Sequence, residues 1–185
     1  MKFETIEDVY ETNDRVRQKL KELLSETSDE QCYQRPEEGK WSIAEIVEHL
    51  QMVEHSMVRI CAKLLKKAKA NGNLNDGNVT FSRIFTERGD EIARMKVEAP
   101  EFVRPGGQKS VAESLSAMDE AREMGRELKE LFERYNGNIY KFRHPYFGEL
   151  SAIEWLGLIG SHEMRHIRQI KNILKAAGAG ATSSR

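Results

Sequence analysis

The strongest constraint on this chain is a helix-start signal that occurs three times. Ser42-Ile43-Ala44-Glu45, Ser110-Val111-Ala112-Glu113 and Ser151-Ala152-Ile153-Glu154 all read S-x-x-E. In this capping box the serine side chain accepts from the backbone N–H three residues on, and the glutamate returns to the serine N–H. Each box precedes a long segment whose apolar residues recur at steps of three and four, the pattern of a helix with one buried face. A first helix is predicted from about Thr5 to Leu24, with Ile6, Val9, Val16, Leu20 and Leu23 or Leu24 on one face. A second runs from about Ser42 to Ala70, a third over 111–135 and a fourth over 152–177.

The breaks between these segments carry turn chemistry. "NGNLNDGN" (71–78), Asn136-Gly137 and Gly178 end the second, third and fourth helices. Ser28 to Gln34 reads as one short turn that stops before Pro36, since a residue preceding proline is pushed out of the helical region. Residues 79–97 read as a shorter helix and "APEFVRPGG" (99–107) as a loop. With few strand patterns, four long amphipathic helices specify an all-α four-helix bundle. The segment 71–109 is too long for a tight helix hairpin and is expected to be a long crossover containing the short extra helix. Residues 1–178 form a single domain in this reading, and 179–185 a frayed tail.

Composition excludes several functions. Charged residues are 32% and hydrophobic residues 39%, enough for one core, and no apolar run reaches the length of a membrane span. The acidic start, "MKFETIEDVYETNDR", is unlike a secretory signal. Net charge is -1, without the basic face that nucleic acid requires. Lys63, Lys66, Lys67 and Lys69 are read as dipole complements near a helix end. Cys32 and Cys61 make no disulfide framework and are expected to be reduced thiols, which places the chain in the cytoplasm.

The chemistry concentrates on histidine. His162-Glu163-Met164-Arg165-His166 is H-E-x-x-H, the zinc signature of metalloproteases. His162 follows Ile159 by three residues and His166 precedes Ile170 by four, so both imidazoles fall on the apolar stripe one turn apart. On the second helix His49 stands on the stripe Ile46, Val53, Met57, Ile60, Leu64, whereas His55 lies off it. Three inward imidazoles on two helices suit a catalytic metal site with an open position. Core histidines hydrogen-bonded to glutamate or backbone remain an equal alternative on the residues alone. A peptidase is disfavoured. The segment after His166 contains no Glu, Asp or His to act as third ligand, and no sheet edge offers itself to an extended peptide.

Two stretches resemble the DinB-like superfamily, also called the YfiT-like metal-dependent hydrolases. "KWSIAEIVEHL" (40–50) is similar to its W-S-x-x-E-x-x-x-H-L motif. "HPYFGELSAIEWLGLIGSHEMRHIRQI" (144–170) is similar to its H-P-x-F-G-x-L-[ST]-x-x-E-W and H-x-x-x-H-x-x-Q-I motifs. The "AP…RPGG" loop before the third helix is also similar. The resemblance implies an up-down-down-up bundle, a divalent metal (zinc or nickel) on His49, His162 and His166, and a homodimer. It implies a small-molecule substrate and either hydrolysis or S-transfer from a low-molecular-weight thiol. A non-catalytic metal- or small-molecule-binding bundle is the alternative, and a plain bundle with structural histidines is a third reading.

Supporting residues carry two readings each. Glu163, about 100° around the helix from His162 and about 60° from His166, is a candidate general base at the pocket rim or a member of an ion pair. Glu45 is a candidate acceptor for His49, though its capping role already accounts for it. Arg165 and Arg168 are either readers of an anionic substrate or solvated charge. Trp41 and Trp155 read as packing anchors, His144 as a backbone-bonded loop histidine, and Met52, Met57, Met118 and Met124 as core filler.

Overall fold

A computed structural model describes residues 3–95 and 98–182. Its elements are α1 (Ile6–Ser25), α2 (Asp29–Tyr33), α3 (Ile43–Ala70), α4 (Arg83–Arg94), a 3-10 turn (Glu101–Val103), α5 (Val111–Arg126), α6 (Lys129–Arg134), β1 (Lys141–His144), β2 (Gly148–Ser151) and α7 (Ala152–Thr182). All three S-x-x-E boxes close as reciprocal caps: Ser42 with Glu45, Ser110 with Glu113, and Ser151 with Glu154. Thr5–Asp8 and Ser28–Gln31 make two more, with Asp or Gln in place of Glu. The bundle is formed by α1, α3, α5 and α7 in the expected order. The connection from Asn71 to Ser110 is the expected crossover, with α4 inside it.

Three boundaries differ from the sequence reading. The third helix breaks after Arg126. There the Gly125 carbonyl takes the Leu128 N–H, a three-residue step, together with the Tyr10 hydroxyl at 2.8 Å. The last helix runs past Gly178 to Thr182. Gly178 keeps a helical backbone there in an alanine-rich stretch of high helix propensity. The segment before α7 is a β-hairpin rather than a loop, with Lys141 opposite Ser151 and His144 opposite Gly148. Gly148, at φ 77°, supplies the left-handed residue of its turn. Residues 96–97 of the expected crossover helix and 183–185 of the expected tail lie outside the described residues.

The core forms two apolar clusters. One gathers Val9, Tyr10, Met57, Leu65, Phe132, Trp155, Leu156 and Ile159. The other gathers Val16, Leu20, Ile43, Ile46, Leu50, Met118, Ile167 and Ile170. Beside them, one on each of the four helices, stand Arg17, Glu54, Arg122 and Glu163, each with a side chain no more than 7% exposed. Arg17 reaches Glu54 and, through Nε, Glu163 at 2.8 Å. Arg122 reaches Glu54 at 2.8 Å and Glu163 at 3.3 Å. Asp119 and Asp14 extend the cluster outward. Two positive and two negative charges cancel in this layer, which makes their burial tolerable. Asn13 adds a close α1–α7 contact, donating to Leu156 O and accepting from Gly160 N. A Cβ on Gly160 would stand 2.3 Å from the Asn13 oxygen.

Removing one member of such a cluster strands its partners. Arg17→Met is expected to cost about 3–5 kcal/mol, read as a lower urea midpoint at unchanged slope.

Candidate metal centre

His49 comes from the second turn of α3, and His162 and His166 from one turn of α7. The capping boxes at Ser42 and Ser151 fix where these helices begin, and the ionic layer limits how they rotate against each other. One nitrogen from each imidazole lies within 4.8 Å of the other two. His49 is centred 5.2 Å from His162 and 5.1 Å from His166. The Nε2 atoms of His162 and His166 are 3.2 Å apart. Two nitrogens on one tetrahedral zinc, each about 2.0–2.1 Å from it, stand about 3.3 Å apart. The donor set therefore fits a divalent cation.

The other ring nitrogens explain the orientation. His49 Nδ1 lies 2.7 Å from the Val103 carbonyl, which accepts its proton and leaves Nε2 as the free lone pair. His166 Nδ1 lies 2.9 Å from Gln169 Oε1, with the same effect. Burial pushes the pKa of all three imidazoles down: His49 is lowered, His166 falls to about 3, and His162 lies well below its ordinary value. Neutral imidazole is the form that ligates. Val103 is absent from the sequence reading because a backbone carbonyl leaves no residue signature. Gln169 stood in the quoted H-x-x-x-H-x-x-Q-I motif without a role, and its one-turn spacing from His166 is the signal that could have supplied it.

Glu163 is not at the pocket rim. It is 2% exposed, and its oxygens accept from Arg17 and Arg122, so the ion-pair reading describes its placement. A cavity of about 10 Å³, the size of one water, is lined by Glu163, Glu54 and His162 together with apolar side chains. Glu45 caps α3 and pairs with Arg35, while His49 is oriented by Val103 instead. Trp41 does more than anchor α3: its ring packs 5.0 Å from that of His49. Trp155 is buried against Phe142 and His144.

The remaining candidates sort by burial. Met57 and Met118 are core, Met52 is half-buried, and Met124 is exposed, which corrects its reading as filler. Cys32 and Cys61 are buried free thiols with pKa values raised by desolvation. Lys67 and Lys63 lie over the rings of Tyr140 and Phe142. Arg168 is exposed, whereas Arg165 is half-buried, donates to Met95 O at 3.0 Å and lies near enough to all three imidazoles to oppose their protonation. Among the described residues no helix is long and apolar enough to cross a membrane.

Three imidazoles from two helices of a crossover bundle, two of them braced from behind, form a cluster that could hold a metal ion. The chain belongs to the DinB superfamily, which it matches over residues 12–170. It is 26% identical over 159 residues to the uncharacterized protein YuaE of Bacillus subtilis (strain 168), covering 81% of this chain and 87% of that one. Its fold is similar to TT2238, a four-helix bundle protein, at a TM-score of 0.61 and 22% identity over 90% of this chain and 98% of that one. It is also similar to YfiT from Bacillus subtilis, described as a probable metal-dependent hydrolase with an unusual four-helix bundle topology. That likeness has a TM-score of 0.59 at 17% identity, covering 96% of this chain and 93% of YfiT.

His144 offers a pH test apart from the ligands. Its Nδ1 accepts from the Tyr146 and Phe147 N–H groups, and burial pushes its pKa from 6.5 to about 4. Its contribution to stability is fully present above pH 6.5 and is lost as the pH falls toward about 4, because the unfolded chain takes up the proton first. His144→Gln is expected to flatten the dependence of the denaturation midpoint on pH across that window.

Proposed function

We propose that this protein is a metal-dependent enzyme acting on a small molecule, with His49, His162 and His166 holding one divalent cation, zinc or nickel. The observation that carries this reading is the convergence of three neutral imidazoles, two of them fixed from behind by Val103 O and Gln169. Three protein ligands leave a coordination position open, the arrangement of catalytic rather than structural sites. A bound cation supplies acidity there, lowering the pKa of a coordinated thiol or water.

The chain's own residues favour S-transfer from a low-molecular-weight thiol over hydrolysis. Glu163 is committed to Arg17 and Arg122, which leaves it poorly placed to take a proton from water. The charged side chain that acts on all three imidazoles is Arg165, a cation that favours an anionic ligand such as a thiolate. Trp41, packed on His49, walls one side with an apolar face suited to excluding water from a thiolate. Assembly as a homodimer belongs to the same proposal, carried by the family resemblance, and sedimentation reads it directly.

Elemental analysis of the purified protein is expected to return near-stoichiometric zinc or nickel. A His162→Ala/His166→Ala variant is expected to lose it. Metal-replete protein is then expected to conjugate 1-chloro-2,4-dinitrobenzene with one member of a thiol panel. Metal content unchanged in the variant defeats the site. Ester hydrolysis without thiol transfer moves the reading to a hydrolase, and bound metal without turnover moves it to a binding protein.

A further inference from the structure

The loop before α5 is gripped by two consecutive residues of α3. His49 donates from Nδ1 to Val103 O. Glu48, one residue earlier and 6% exposed, accepts from Gly106 N at 3.2 Å and from Gly107 N at 2.8 Å, one amide on each oxygen. Successive backbone N–H groups converging on one carboxylate form an anion-binding nest, and here the anion is a side chain of the same protein. Gly107 sits at φ 69°, a conformation open to glycine, and a Cβ there would stand 3.4 Å from Glu45 Oε1. Only two residues, Arg104 and Pro105, lie between the two grips. The first grip is tightened by the 3-10 turn and by the burial of Val103.

We infer that Glu48 is a positioning residue for the metal centre: by holding the Gly106–Gly107 nest it keeps the Val103 carbonyl on His49 Nδ1 and so presents His49 Nε2 to the metal. This rests on the three-histidine reading. A buried carboxylate needs donors, and both of these are backbone amides of the loop that carries Val103. A carbonyl acceptor for His49 needs a fixed backbone, and Glu48 is the side chain that fixes it from α3. The two grips are neighbours on one helix, so a shift of the loop at one moves the other.

The test uses the whole protein in metal-free form and with cobalt(II) as the probe. Side-chain 15N–1H correlation spectra of histidine report the His49 tautomer without metal. Cobalt absorbance reports affinity. Glu48→Ala removes both acceptors, and Gly107→Ala loosens the nest from the loop side by straining its left-handed backbone, with every residue of α3 unchanged and a new methyl only at van der Waals distance from Glu45. Each is expected to weaken cobalt binding at least tenfold, the scale of losses at groups that orient metal ligands. Each is also expected to shift His49 from its Nδ1–H form to a tautomer mixture. Glu48→Gln keeps one acceptor and is expected to fall between. Ser110→Ala, which uncaps α5 beyond the nest, is expected to lower the melting midpoint while leaving tautomer and cobalt affinity as in the parent. Folded Glu48→Ala and Gly107→Ala proteins with the parent tautomer and cobalt affinity within twofold would overturn the inference. A parent that takes up no cobalt defeats the three-histidine reading, and the metal-free tautomer comparison still decides whether Glu48 governs His49.

Discussion

The bundle depends on a layer of charge that spans its middle. Arg17, Glu54, Arg122 and Glu163 come from four different helices, and each reaches at least two of the others. An apolar contact tolerates a small slide or rotation, because one methyl replaces another. A guanidinium facing two carboxylates does not, because a displacement leaves a buried charge unpaired at a cost of several kcal/mol. The layer therefore fixes the relative height and rotation of α1, α3, α5 and α7. His162 is bonded in sequence to Glu163, and His49 lies little more than a turn before Glu54, so the three-histidine cluster inherits that register.

This also accounts for the metalloprotease-like signature. On α7 the two imidazoles face α3 while the glutamate between them faces the arginines. H-E-x-x-H appears here because one turn of helix carries a converging imidazole pair and a structural charge together. The spacing is shared with zincins, and here the glutamate is taken up by Arg17 and Arg122.

Much of this was legible in the sequence because it is local. The capping boxes place helix starts through hydrogen bonds three residues long, and the apolar period places His49, His162 and His166 on buried stripes. Those levels agree with each other, as they do in sequences that specify one structure. What escaped was non-local or lacked a side chain. The ionic layer joins residues up to 146 positions apart, and a charged residue on a helix gives no sign of an opposite charge across the core. The break near Gly125 follows from a tyrosine on another helix. The hairpin at 141–151 has four-residue strands, too short for a clear alternation. Val103 acts through its backbone oxygen, which every residue possesses.

The crossover has a consequence for how the protein tolerates change. It leaves α3 at Ala70 and returns to it at Val103, and between those points it carries α4 over the outside of the bundle. The entropy of closing a flexible loop grows only with the logarithm of its length, about 0.6 kcal/mol per doubling. Two stretches of the crossover are not free in this sense: residues 73–78 are tied to 132–140 by the Asn75 N–H on Arg134 O, the Asn136 N–H on Asn73 O and the Leu74–Tyr135 bridge, and Val103 to Gly107 must keep its spacing against Glu48 and His49. A change in the length of the crossover is least costly between these two anchored stretches, where it leaves the three imidazoles in place.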